Sequence, residues 1–407
     1  MSVADEIAAS DAASAGSYGR KALAASAVGY AMDGFDFLIL GFMMSAIARD
    51  LGLSATAGAS LATFTLIGAV IGGFVFGMLA DAYGRVRVLS LTILIFAVFT
   101  GLSAFAQGYW DLVAYRTIAG LGLGGEFGIG MALVAEAWPA SQRARASSYV
   151  GLGWQAGVLA AALITPLLLP LIGWRGMFLV GLIPALASFF IRRSVGEPEL
   201  FRRKQATGFP VRLLVKDAAT TRISLGMFIL CSVQNFGYYG LMIWMPNYLA
   251  RQFGFSLTQS AVWTSVTILG MGFGIWLFGE LADRLGRRPI FMAYQVGAFV
   301  MVLVYSQLTN PTALLIGGAI MGLFVNGMLG GYGALMSELY PTKVRATAQN
   351  VLFNLGRGVG GFGPVVIATL AGAYSFSAAI ALLALIYLVD IAATYFLIPE
   401  RKGMALE

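Results

Sequence analysis

The sequence predicts an all-α membrane protein with twelve transmembrane helices in two pseudo-symmetric six-helix bundles. Three observations predict it. The 407 residues are 59% hydrophobic and only 11% charged, with a mean hydropathy of +0.82, whereas a soluble domain carries about a quarter charged residues. Apolar runs of the length that crosses a bilayer, about 20 residues, follow one another between short polar turns. The second half of the chain also repeats the first at a constant offset.

The runs fall at 22–48, 58–80, 88–107, 111–135, 146–169 and 174–191, then at 221–245, 259–282, 289–308, 312–336, 347–372 and 376–398. The domain plan is therefore an N-terminal tail (1–21), a first bundle (22–191), a central loop (192–220), a second bundle (221–398) and a C-terminal tail (399–407). The first tail is acidic and rich in Ser and Ala. It lacks the basic start of a signal peptide and reads as a disordered cytoplasmic tail. Of the 26 lysines and arginines, all but five lie in tails and loops on one side. Arg49, Arg175 and Arg251 lie on the other side, and Arg116 and Arg357 lie inside spans. By the positive-inside rule both termini are cytoplasmic, which predicts a multi-pass protein of the cell (inner) membrane. The net charge of +7 is then a topology signal and needs no nucleic-acid partner.

The repeat is explicit. "IGAVIGGFVFGMLADAYGR" (67–85) aligns without gaps to "LGMGFGIWLFGELADRLGR" (269–287), and "EAWPASQRARA" (136–146) to "ELYPTKVRATA" (338–348), both at an offset of 202. Asp81 thus matches Asp283, Glu136 matches Glu338, Arg85 matches Arg287 and Arg143 matches Arg345. Internal repeats in a polytopic protein point to alternating access around a midplane site.

At this point the chain resembles a major facilitator superfamily transporter. "GMLADAYGR" and "GELADRLGRR" are similar to the signature loop of that family after the second and eighth spans. "RTIAGLGLG" (116–124) resembles its fourth-span signature. "DGFDF", "GLGGEFG", "AEAWPASQRARAS" and "ELYPTKVRATAQNVLFNLGR" resemble the metabolite:proton symporters, in particular the sialate/lactate and aromatic-acid permease groups. "PERKGMALE" is similar to sugar porters. The resemblance covers essentially the whole chain. It implies the major facilitator fold, a monomer, and a supporting role for the third helix of each triplet, which makes Asp390 structural.

The loop motif reads as a charge latch between helices. Asp81 stands at a span end, where it can face a helix N-terminus and basic partners such as Arg85 or Arg143. The latch set is Asp81, Arg85, Glu136, Arg143, Asp283, Arg287, Glu338 and Arg345. The bland alternative is a cytoplasmic turn with topogenic arginines. "GLGLGG" (120–125) fits the dinucleotide fingerprint but lies inside an apolar span, so close helix packing explains it better.

The intramembrane polar residues carry the functional reading. Asp33 and Asp36 lie three residues apart on one helix and are read as sharing a face, which in lipid must meet protein or a water-filled cavity. Proton coupling is one role, a structural ion pair, for instance with Arg116, is a second, and substrate contact alone is a third. Glu126, about 15 Å along the helix axis from Arg116, is a third candidate for handling protons or substrate, against a structural hydrogen-bonded role. Arg357 presents a fork suited to a carboxylate, against pairing with an acid across the halves. Its repeat counterpart is Gln155, so fold symmetry does not demand the charge. Asn354, Asn235 (the counterpart of Asp33), Gln234, Tyr239, Asn326, Gln155 and Arg116 complete the predicted substrate set.

One Cys and no His exclude a disulfide framework and a Cys/His metal site. No phosphate loop and no large soluble domain support an enzyme, and no cofactor is expected beyond protons as coupling ion. The leading expectation is proton-coupled symport of an organic monocarboxylate: a lactate-like, sialate-like or aromatic acid. The same sequence also fits a neutral sugar or polyol carrier, or a membrane sensor on the same scaffold. The partners expected are a small organic anion, protons and the lipid bilayer.

Overall fold

The computed structural model describes residues 3–182, 195–197, 210–242, 245, 249, 253–404 and 406. Every long element among them is an α-helix. The first half contains α1 (Val3–Asp50), α2 (Ala55–Tyr83), α3 (Arg85–Ser103), α4 (Tyr109–Ala137) and α5 (Arg143–Val180). The second contains α6 (Ala218–Met242), α7 (Leu257–Leu285), α8 (Arg287–Gln307), α9 (Pro311–Gly327) and α10 (Leu329–Leu339). It ends with α11 (Arg345–Gly360), α12 (Gly363–Ala373), α13 (Phe376–Leu383) and α14 (Ile386–Leu397).

These helices map onto the predicted spans. α5 holds the fifth span and the start of the sixth, turned at Gly173, whose φ of 65° only glycine adopts at no cost. The pairs α9/α10, α11/α12 and α13/α14 are the tenth, eleventh and twelfth spans, each interrupted once. Ten helical stretches among the described residues are long and apolar enough to cross a membrane. The later part of the sixth span (174–191), the end of the seventh (221–245) and much of the central loop (192–220) lie outside the described residues. So do Arg192, Arg193, Arg202, Arg203, Lys204 and Arg251.

α1 begins at Val3 and runs into the first span; the alanines frequent in its first turns are the strongest helix formers.

The glycine patterns are packing surfaces. A Cβ at Gly72 would collide with the Leu121 carbonyl, and one at Gly124 with that of Ala69, so α2 and α4 touch backbone to backbone. Gly274 meets the Leu323 carbonyl in the same way between α7 and α9. The contact is repeated at the predicted offset. "GLGLGG" is therefore helix packing. The turn glycines Gly84 (φ 119°) and Gly286 (φ 108°) repeat as well. Beside them Glu197 accepts from the amides of Arg85 and Arg87 at 2.8 and 2.9 Å, and Glu400 accepts from that of Arg288 at 2.8 Å.

The two bundles meet at the end that carries the loop motifs. α11 lies against α2 and α4, and α5 lies against α7 and α10. Gly77 and Gly128 admit α11 at Thr347 and Asn350, and Gly279 admits α5 at Arg145 and Ser148.

Candidate functional site

Two charge clusters bridge the bundles at this end. Asp81 accepts from the Ala346 and Thr347 amides at 3.2 and 2.7 Å, so a carboxylate of the first bundle caps α11 of the second. Arg85 sits 2.9 Å from Asp81 and 3.1 Å from Glu136, and Arg345 reaches the same Glu136 oxygen at 2.8 Å. The other cluster is its copy. Asp283 accepts from the Ala144 and Arg145 amides at 3.0 and 2.9 Å. Arg287 lies 3.1 Å from Asp283 and 2.8 Å from Glu338, and Arg143 lies 3.0 Å from Glu338. The eight predicted latch residues are thus brought together in two groups of four. The suggested pairing of Asp81 with Arg143 is corrected: Arg143 crosses instead to Glu338, because each bundle lends one arginine to the other bundle's cluster.

Deeper in, the bundles enclose a pocket. Tyr30 of α1, Trp154 of α5, Gln234, Asn235, Tyr238 and Tyr239 of α6, Asn326 of α9, Leu329 of α10, and Phe353 and Arg357 of α11 line it. Its free volume is about 10 Å³, room for about one water molecule. Phe127 and Phe353 stack across the bundle boundary at 3.7 Å and floor it on the latch side.

Arg357 is 3% exposed. Its guanidinium lies over the rings of Trp154 and Phe37 at 5.2 and 5.4 Å, and its Nε donates to the Tyr239 hydroxyl at 3.0 Å. Asp33 and Tyr30 are within electrostatic reach of it. Beside it, Gln234 Nε2 donates to Asn326 Oδ1 at 2.6 Å. Gln234 Oε1 and Asn326 Nδ2 then have no partner among the described residues. The wall therefore presents one acceptor next to one donor. Trp154 Nε1 donates to Tyr238 across the boundary at 3.3 Å.

Other predicted residues sit elsewhere. Asp33 is buried and is not among the residues that line the pocket, and Asp36 faces elsewhere. It turns into the first bundle and pairs bidentately with Arg116, whose Nη1 bond is 3.0 Å. Both side chains are buried, with the Phe178 ring 5.6 Å from the guanidinium. Arg116 is therefore committed to this ion pair and not to the pocket. Glu126 faces Thr92 of α3 at 3.5 Å, away from the pocket lining. Asn354 donates to the Gly124 and Asn350 carbonyls at 2.8 and 2.9 Å and clasps α11 to α4. Asn235 lines the pocket while its amide bonds back to the Cys231 carbonyl at 2.9 Å. Gln155 is buried with both amide atoms unmatched among the described residues. The aromatic box of Tyr30, Phe37 and Trp154 around Arg357 was not anticipated. One usable signal was there, since Tyr30, Asp33 and Phe37 share a helical face at spacings of three and four.

Known proteins agree with this architecture. The family described as Major Facilitator Superfamily matches residues 26–263 and 227–406. A "Putative metabolite transport protein" of Haemophilus influenzae is 66% identical, over 96% of this chain and 98% of its own length. The sialic acid transporter NanX of Escherichia coli is 31% identical, over 87% of this chain and 88% of its own. The solved proton:xylose symporter XylE, bound to 6-bromo-6-deoxy-D-glucose, superposes with a TM-score of 0.80 at 18% identity, covering 96% of this chain and 98% of that one. At that identity it speaks for the fold alone. With the family model covering nearly the whole chain and a transport protein 66% identical along it, this chain is a metabolite transporter and not an enzyme, and it belongs to the Major Facilitator Superfamily.

Proposed function

We propose that the protein carries an organic monocarboxylate by proton-coupled symport, using alternating access in the cell (inner) membrane with both termini cytoplasmic, and that it works as a monomer. One observation carries the reading: a buried arginine on the wall of the central pocket whose company is aromatic. Arginine keeps its charge. A buried charge is stable only when paired or well hydrogen-bonded. Ring faces and one phenol compensate Arg357 in part. A substrate carboxylate completes the set with a bidentate contact, and the Gln234–Asn326 edge orients the rest of the molecule.

Asp33 is the coupling carboxylate in this scheme. It lies within electrostatic reach of Arg357. When a substrate anion occupies the guanidinium, an ionised Asp33 faces a second negative charge and takes up a proton. Asp36, held by Arg116, fixes the helix that carries Asp33. An anion moving inward together with a proton avoids opposing an inside-negative potential, worth about 2.3 kcal/mol per charge per 100 mV. The latch clusters hold the cytoplasmic end shut and release when the bundles rock.

Uptake into proteoliposomes under an inward acid gradient tests this. The panel is labelled lactate, sialate, 4-hydroxybenzoate and glucose, with wild type, Asp33→Asn and Arg357→Gln. Accumulation of one acid, abolished in Arg357→Gln and reduced to equilibration in Asp33→Asn, is the expected result. Glucose equilibration indifferent to the gradient overturns the carboxylate reading. Binding without movement would make the protein a sensor.

A further inference from the structure

Away from the pocket, the second bundle buries a carboxyl that neither the latch nor the substrate path uses. Asp390 of α14 is 0% exposed. Neither of its oxygens accepts a hydrogen bond from a described residue, and no lysine or arginine is among the groups that act on it electrostatically. Every element packed around it contributes a neutral group. α8 brings Gln295, within hydrogen-bonding reach. α6 brings Cys231 and α10 brings Tyr332, both within electrostatic reach, as is Tyr387 of α14 itself. Arg288, at the start of α8, is engaged by the carbonyls of Thr394 and Tyr395 and by the Tyr395 ring.

Asp390 meets no counter-charge, and neither of its oxygens has a hydrogen-bond partner among the described residues; an ionised carboxylate buried in that way is strongly disfavoured. The polar group beside it is the side-chain amide of Gln295, whose Nε2 bonds Thr394 Oγ1 at 2.7 Å. A carboxylic acid removes the uncompensated charge. We propose that Asp390 is a second proton-binding site, occupied in this conformation, with Gln295 as its polar neighbour.

The packing selects a proton over a metal cation. The Tyr387 hydroxyl is pressed against Gly237, where even a Cβ would collide with it. Gln295 is held by Thr394, and Cys231, Tyr332 and Tyr387 offer a thiol and aromatic rings, poor ligands for a hard ion. The site is also close to the substrate path. Tyr332 meets Phe353 of the pocket wall with ring centroids 6.3 Å apart, so movement of that wall reaches the ring beside Asp390. This proton is distinct from the one assigned to Asp33, and its detection does not depend on transport.

Infrared spectroscopy of the full-length protein in sodium-free potassium buffer at neutral pH tests the proposal. The wild type minus Asp390→Asn difference should contain the carbonyl stretch of one protonated carboxylic acid. In Gln295→Leu that band should persist and move, because the acid loses its polar neighbour. Carboxylate stretches in place of the acid band overturn the proposal, as does an acid band that vanishes on adding sodium. If Asp390→Asn fails to fold, wild type against Gln295→Leu carries the same readout, and an unchanged acid region between them overturns it.

Discussion

Two guanidiniums lie buried in the two halves of this transporter, and they are treated in opposite ways. In the first bundle, Arg116 meets Asp36 in a bidentate pair and its charge is cancelled within the bundle. In the second, Arg357 is wrapped by Trp154, Phe37 and Tyr239 at the bundle boundary. The first arrangement stabilises a bundle whatever its partner does. The second has no bidentate carboxylate among the described residues, and in the proposed scheme the substrate supplies one. The latch end shows the opposite logic, with two clusters equivalent residue for residue. Repeat symmetry holds where the bundles must grip each other and fails where they must recognise something outside.

The contrast breaks most visibly at Arg116. Arg116→Leu strands Asp36 as a buried, uncompensated charge, and a loss of about 3–5 kcal/mol is expected, read as thermal unfolding of the purified protein. Adding Asp36→Leu should recover most of that loss. No recovery would mean that packing, not charge, holds the pair. Arg357→Gln should do the reverse: near-wild-type melting, but carboxylate binding weaker by about 1.5–3 kcal/mol, roughly ten- to a hundredfold, by calorimetry with the acid the carrier accumulates. A melting loss as large as that of Arg116→Leu would erase the distinction.

The latch supplies the symmetric control. Asp81→Asn and Asp283→Asn each weaken a capping carboxylate, worth about 1 kcal/mol. Each should shift the closed-to-open ratio about fivefold, measured by spin-label distances between bundles at that end. Unequal shifts would show that the gate is not as symmetric as its geometry. The smallest effect is expected at Asp50. Hydrogen bonds from Arg175 and from Trp174 hold its carboxyl below the usual carboxylate range. Its folded value is therefore depressed. The contribution is complete above the unfolded pKa of about 3.9 and is lost as pH falls through the folded value. Asp50→Asn should flatten only that acid limb of a melting-temperature profile. The pair is exposed, so a large change at neutral pH would contradict the solvent screening expected of it.

Spans and repeat were legible because lipid demands apolar length and because backbone contacts at Gly72 and Gly274 demand glycine at both copies. The latch was legible because it is written twice. Its wiring was not, since Asp81 finds its partners at Ala346 and Thr347 in the other bundle, and only the docked halves reveal the crossing. The one-face argument for Asp33 and Asp36 failed for a geometric reason. Three residues leave side chains about 60° apart on a helix, enough to send one toward Arg116 and the other toward Arg357. The aromatic box was hidden because Phe37 and Trp154 look like core in any apolar helix. Glu197 and Glu400 carried a signal in hindsight, an acid soon after the sixth span of each half.

The pocket, with room for about one water molecule, has an energetic consequence. An organic acid does not fit between Tyr30, Trp154 and Phe353 as they stand. Under the proposed scheme cargo must wedge these aromatic walls apart, so part of its binding energy goes into separating the bundles rather than into affinity.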